Sequence, residues 1–443
     1  MDTPIYDFIS AYAAGDMLRC HMPGHKGRTV LPELAALYGP DITEIAGADS
    51  LFEAEGIILR SERNMASLYG SAACFYSAAG STLCIQGMLA AMKQEGRCVI
   101  SARNVHRSFL NAAALLGLRV IWLMPEQSRG ILSGTFSAEA AEILLSENPN
   151  ACLYVTSPDY TGKTADIASL AETAHRYGAP LLVDNAHGAH LRFMPEDCHP
   201  MSLGADMCCD SAHKMLPALT GAAVLHTRER YAGILRQCMG MFASTSPSYL
   251  IMASLDLCCR YIDERIRDDI TLNLDCIRKL RERFAGRLRF AEGDPFHITV
   301  LAAESGYNGI SIAQGLRKNG AECEYSDSDI VVLLMSPMNV PEDYRRLTEA
   351  LEKALEGAER CQPPEETVLT LPESVMGIRE AAFASSEEIP VEESEGRICA
   401  SVKVPCPPAV PIAACGERID RSCIELFRRY GIATVNVVKE NMI

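Results

Sequence analysis

The sequence predicts an α/β protein: a mostly parallel, doubly wound sheet in a large domain, then a smaller α+β domain and a C-terminal domain. Three observations carry this. From about residue 72, short β-rich runs alternate with helical patterns, the signature of parallel strands joined by helical crossovers. Several runs, such as Ala151-Cys152-Leu153-Tyr154-Val155, are continuously apolar, as strands covered on both faces must be. Polar clusters recur where these runs end, and open α/β sheets hold their ligands at the carboxyl ends of the strands.

Taken in order, the chain starts with an amphipathic segment and then Cys20-His21-Met22-Pro23-Gly24-His25-Lys26-Gly27. Two glycines and a proline there forbid a regular element, so this is a loop carrying polar groups. The strands expected next are 73–78, 98–102, 119–124, 151–157, 180–186, 205–211 and 221–227. The helices expected between them are 82–95, 106–117, 137–147 and 166–178. Residues 249–286 read as one long helix leaving the large domain, taken as residues 1–250. A small α+β domain follows over 251–362: a strand at 296–303, a helix at 309–319 closed by Gly320, two strand-like runs within 321–337 and a charged helix at 341–360. Gln362-Pro363-Pro364-Glu365-Glu366 reads as a linker to a C-terminal domain at 367–443. That domain is acidic over 387–395 and carries a proline run at 404–411, read as a stiff loop.

Lys plus Arg number 41 against 57 Asp plus Glu, a formal charge of −16. With no basic run, a nucleic-acid partner is not expected. The 18 cysteines are scattered, often within apolar runs, and none forms a Cys-x-x-Cys pair, so no metal site is expected. No secretory pattern opens the chain, and no apolar run approaches the roughly 20 residues of a membrane span. These features point to thiols in a reducing cytoplasm and to no membrane partner.

The chemistry centres on Asp210-Ser211-Ala212-His213-Lys214, at the end of an apolar run. A lysine at such a strand end suits Schiff-base chemistry with an aldehyde. Upstream, Asp184-Asn185-Ala186-His187 ends an earlier strand. A carboxylate and a lysine at two strand ends suit pyridoxal phosphate, one facing the ring nitrogen and the other the aldehyde carbon. Gly80-Ser81-Thr82 joins a strand to a helix, where glycine, two hydroxyls and free N–H groups can hold the phosphate. His106, in Arg103-Asn104-Val105-His106, either stacks on a flat cofactor or caps a helix. Ser157-Pro158-Asp159-Tyr160-Thr161-Gly162 brings further polar groups to a strand end.

Together with His21-Met22-Pro23-Gly24-His25-Lys26-Gly27, these motifs resemble the ornithine/lysine/arginine decarboxylase family, pyridoxal-phosphate enzymes of the aspartate-aminotransferase fold type. The resemblance runs in order through nearly the whole chain, to Pro407-Pro408-Ala409-Val410-Pro411 and Cys415-Gly416-Glu417. It implies Lys214 as the aldimine lysine, Asp184 on the ring nitrogen and His106 stacked on the ring. Gly80, Ser81, Thr82, Ser211 and His213 would hold the phosphate, and His187 would sit near the phenolic oxygen. His25 and Glu417 would meet the substrate, with Glu417 contributed by the neighbouring chain if the site forms between the two chains of a homodimer. The chain departs from the family's usual pattern at Leu83-Cys84-Ile85, at Asn185 where an acid is common, and at Ala409 and Cys415. The implied reaction is decarboxylation of arginine, lysine or ornithine, with His213 or Lys214 returning a proton to Cα. Transamination, C–S lysis or a catalytically decayed regulatory role are the alternatives on the same scaffold.

Overall fold

The computed structural model describes residues 1–129, 131–362, 370–401 and 410–440. Residues 363–366 of the expected linker and residues 404–409 of the proline run lie outside them. By internal packing the chain divides into two units, residues 1–95 with 182–270 and residues 96–181 with 271–443.

In the first unit, strands Ala73–Ser77, Ala223–Thr227, Met207–Asp210 and residues 182–184 lie side by side in that order. The last two run parallel, with Asp184 opposite Cys209. Strand 223–227 is antiparallel to both its neighbours, pairing Asp210 with Val224 and Ser77 with Ala223. Ser77, Asp184 and Asp210 therefore end on one edge. Every residue of Met207–Asp210 and Ala223–Thr227 is buried, consistent with helical cover on both faces. Helix Gly80–Gln94 packs against helix Leu235–Gly240 so closely that a Cβ on Gly87 would meet Met239 Cγ at 2.6 Å.

The second unit holds strands Cys98–Ala102, Val120–Leu123 and Ala151–Thr156, all parallel, with Cys98–Ala102 in the middle. Two antiparallel three-stranded sheets follow. One comprises His297–Val300, Val331–Leu334 and Tyr325–Ser326; the other comprises Ser386–Pro390, Thr434–Val438 and Cys399–Ser401. One apolar cluster joins these sheets through Leu301, Val332, Val391, Phe427 and Val437.

The observed strands of the large sheets fall within the expected runs. The long helix does not form as one piece: Tyr249–Glu264 and Ile266–Phe284 are separated at Arg265, whose ψ is −28 and φ −139. Asp268 and Asp269 lie in the first turn of the second helix, where acidic groups favour an N-terminus. The 341–360 helix stops at Glu356, before Gly357.

Candidate active site

Most of the expected site residues lie in the first unit, on the edge where Ser77, Asp184 and Asp210 end. Asp184 is 2% exposed, and its Oδ1 accepts the Ala186 N–H at 3.2 Å and the Cys209 thiol at 3.6 Å. Burial, and then the Asp184 charge, push the Cys209 thiol well above its ordinary value, so it is a donor there. The Lys214 Nζ lies 2.7 Å from His187 Nε2. Asp184 and His187 stand on one turn and Lys214 on the turn after the neighbouring strand. The geometry thus brings the expected carboxylate, imidazole and amine to one edge.

His213 is held by its backbone N–H and its Nδ1, both on the Ala222 carbonyl, at 3.2 and 2.8 Å. A carbonyl only accepts, so Nδ1 carries the proton in the neutral ring. Burial pushes the His213 pKa down, against that hydrogen bond. Ser211 is buried, and its hydroxyl makes no capping bond to the short helix Ala212–Met215.

Gly80 begins its helix with φ +71, a left-handed conformation that favours glycine, and its N–H donates to the Gly221 carbonyl at 2.7 Å. A Cβ there would meet nothing within 4 Å. Ser77, which sequence reasoning passed over, shapes this turn. Its hydroxyl accepts the Ala79 N–H and donates to the Gly80 carbonyl, at 3.1 and 2.9 Å. Ser81 and Thr82 follow in the first helical turn.

A second group missed from the sequence lies behind this edge. Asp210 is 1% exposed, and its Oδ1 accepts the Asn185 amide at 2.7 Å and the Cys208 thiol at 3.5 Å. Its Oδ2 is 3.1 Å from His199 Nε2 and 3.3 Å from His226 Nε2. Burial pushes the Asp210 carboxyl up, but His199 and His226 more than reverse this and hold it well below the usual carboxylate range. Burial lowers the His226 pKa despite Asp210. Tyr69 lies against both imidazoles, 4.4 Å from His226 and 5.0 Å from His199 between ring centroids, and its hydroxyl donates to the Ala189 carbonyl. Among the described residues, His199, Cys208 and Asp210 also place ligand-type atoms within 4.8 Å of one another. The Cys208 thiol donates to Asp210 Oδ1, and burial pushes its pKa well above the ordinary value. The signal for this group was a charged residue and two histidines in apolar surroundings. Their mutual contacts span sequence distances that spacing does not reveal.

His25, in the N-terminal loop, accepts the Gly27 N–H at Nδ1 and pairs with Asp41 at 3.2 Å through Nε2, its ring stacked on Tyr38. His106 and Glu417 belong to the second unit. His106 caps helix Arg107–Leu116, its Nδ1 accepting the Ser108 N–H and lying 2.7 Å from the Ser108 hydroxyl. Glu417 is 2% exposed and takes the Arg103 guanidinium on both oxygens at 2.8 Å, with the Ala414 N–H also on Oε2.

The donor set of the first unit fits pyridoxal phosphate: a buried carboxylate for a ring nitrogen, an amine on the neighbouring turn for the aldehyde, and an open glycine-started helix N-terminus for the phosphate.

Comparison with known proteins agrees. Residues 3–301 match the Orn/Lys/Arg decarboxylase major domain and residues 364–431 its C-terminal domain. An arginine decarboxylase of Bacillus subtilis is 31% identical, covering 94% of this chain and 91% of its own. Another, from Halalkalibacterium halodurans, is 29% identical over 96% of this chain and 93% of its own. Among solved structures, the Francisella novicida lysine decarboxylase superposes with TM-score 0.81 over 99% of this chain and 81% of its own, at 17% identity. SPT with PLP shares the fold more distantly, with TM-score 0.56 and 13% identity over 70% of this chain and 80% of its own.

Proposed function

Since the chain belongs to the Orn/Lys/Arg decarboxylase family, we propose that it is a pyridoxal-phosphate enzyme that decarboxylates a basic L-amino acid. CO2 leaves, a proton replaces it at Cα, and the corresponding amine is released. Of arginine, lysine and ornithine, arginine is favoured by the relatives named arginine decarboxylase at 28–31% identity.

The observation that carries the reading is the Lys214 amine 2.7 Å from His187, on the turn beside the buried Asp184. When bound, the cofactor supplies an electron sink for the pair left at Cα as CO2 departs. Asp184 holds a proton on the ring nitrogen, and the Ala186 N–H fixes its orientation. Lys214 must shed a proton before its nitrogen can bond an aldehyde, and His187 Nε2 is the acceptor within reach. Ser81, Thr82 and Ser211 bind the phosphate. His213 joins them only as an imidazolium, since its neutral form spends its one N–H on Ala222. The neutral ring has no free N–H to return a proton to Cα, which leaves that task to Lys214 in its ammonium form.

The test is a screen of the three amino acids with detection of CO2 and amine. Keto acid or ammonia in their place overturns decarboxylation. Borohydride reduction followed by peptide mass spectrometry should place the cofactor on Lys214; an adduct on another lysine overturns its role.

A further inference from the structure

Resting on the reading above, we infer that Asp210 is a positioning residue of this active site: through Asn185 it ties the turn bearing Asp184 and His187 to the turn bearing Lys214.

Five observations converge on it. Asp210 is the last residue of strand Met207–Asp210, and Lys214 follows on the turn it opens, with the Lys214 N–H on the Ser211 carbonyl at 3.0 Å. Across to the neighbouring strand, Asp210 Oδ1 takes the Asn185 side-chain amide at 2.7 Å. Asn185 is fully buried and anchors its own turn, its N–H donating to the Cys209 carbonyl at 3.0 Å and its carbonyl accepting the Gly188 N–H at 2.8 Å. Gly188 leaves the space the Asn185 amide occupies, since a Cβ there would meet Asn185 Oδ1 at 2.0 Å. On its other side Asp210 Oδ2 is hydrogen-bonded to His199 Nε2 at 3.1 Å, with His226 Nε2 lying 3.3 Å away. The Met201 N–H donates to His199 Nδ1 at 3.3 Å, so in the neutral ring Nε2 carries the proton and donates to Asp210 Oδ2. Tyr69 closes the loop, packing on both imidazoles while its hydroxyl holds Ala189 on the Asp184–His187 turn.

The arrangement calls for a carboxylate at 210 because the Asn185 amide, the Cys208 thiol and His199 Nε2 each direct a hydrogen at it. An amide there would turn its NH2 on either the Asn185 amide or the His199 N–H. The pairing is restored by exchanging the two residues, since an aspartate at 185 would accept from an asparagine at 210.

The experiment titrates pyridoxal phosphate into the apoprotein of wild type, Asp210→Asn, Asn185→Ala and the exchange Asn185→Asp/Asp210→Asn, following the visible cofactor band and its pH midpoint. Asp210→Asn and Asn185→Ala should each weaken binding at least about tenfold, the scale of one hydrogen bond to a charged group. The exchange should return affinity to within about threefold of wild type. The pH midpoint of the band should fall in Asp210→Asn, which removes an anion near the protonated cofactor, and recover in the exchange, which restores one. Asn185→Ala deletes only the tie to the turn and keeps Asp210 with its histidines, so it reads positioning even if Asp210→Asn fails to fold. Wild-type affinity in Asn185→Ala, or an exchange no better than Asp210→Asn, overturns the inference. A wild type that takes up no cofactor instead overturns the functional reading. In that event urea denaturation of the four apoproteins, with Asn185→Asp added, decides the pairing: losses that simply add reject it, and recovery in the exchange sustains it.

Discussion

On the proposed reading, Asp184 serves the cofactor ring and Lys214 its aldehyde. Asp184→Asn keeps Oδ1 for the Ala186 N–H, so the turn survives, but a neutral amide cannot hold a ring-nitrogen proton. We expect cofactor absorbance to remain while turnover falls at least about 100-fold, some 2.7 kcal/mol of transition-state stabilisation. Turnover near wild type would give Asp184 another task. Glu417 shows the opposite balance. It is the acceptor for a buried guanidinium that also lies over the Trp122 ring, so Glu417→Ala strands a buried cation. We expect a loss of about 3–5 kcal/mol in urea denaturation, with Glu417→Gln milder. Equal stability of Glu417→Ala and wild type would show Arg103 finding other partners. Asp184 and Lys214 were legible in the sequence because a charge at the end of an apolar run is conspicuous. Asp210, though it opens the same motif, was not: its meaning lies in His199, His226 and Asn185, which only the strand pairing brings to it.

At the level of elements, helix Pro4–Ala14 is anchored from outside itself. Its N-cap Thr3 makes no side-chain cap, and Asp256, on helix Tyr249–Glu264, accepts the Ile5 and Tyr6 N–H groups on Oδ2 at 2.8 and 2.9 Å. Ser61 donates to its other oxygen at 2.6 Å. Burial dominates, and the Asp256 pKa is pushed up to about 6 from 3.8. The folded protein therefore holds this proton more tightly than the unfolded chain. The associated stability is fully present below about pH 4 and is lost as pH rises through about 6. Asp256→Asn keeps an acceptor for the helix and removes the titration. It should match wild type in urea denaturation near about pH 4 and exceed it near about pH 7.5, by up to about 3 kcal/mol at about 1.4 kcal/mol per pKa unit. A pH-independent gap would place the proton elsewhere. The alternating strands and helices were readable because apolar runs and helix periodicity dominate there. The sheet formed by Ser386–Pro390, Cys399–Ser401 and Thr434–Val438 was not. Its edge strand Ser-Glu-Glu-Ile-Pro is partly exposed throughout and acidic, and such a strand is recognised only by its partner.

For the whole molecule, the segment between the first helix and the main body raises the question of what covers it. Met17, Leu18, Met22, Val30, Leu31, Leu34 and Leu37 are each 42–77% exposed, concentrated in one short stretch that also carries the His21–Gly27 loop. Single exposed apolar residues are ordinary; seven within residues 17–37 are a concentration that calls for a partner. A second copy of the chain is the partner we predict, giving a homodimer at least. An interface that helps complete an active site should be obligate and bury more than about 2,000 Å². Light scattering at micromolar concentration should then report twice the chain mass. Leu18→Glu with Val30→Glu should shift the protein toward monomer, because two carboxylates per chain would be taken out of water without partners. Turnover should fall with the dimer fraction and rise again with protein concentration, which separates loss of assembly from damage to the Lys214 site. A wild-type monomer with full activity would end the idea. A variant that stays dimeric with normal turnover would move the interface away from residues 17–37.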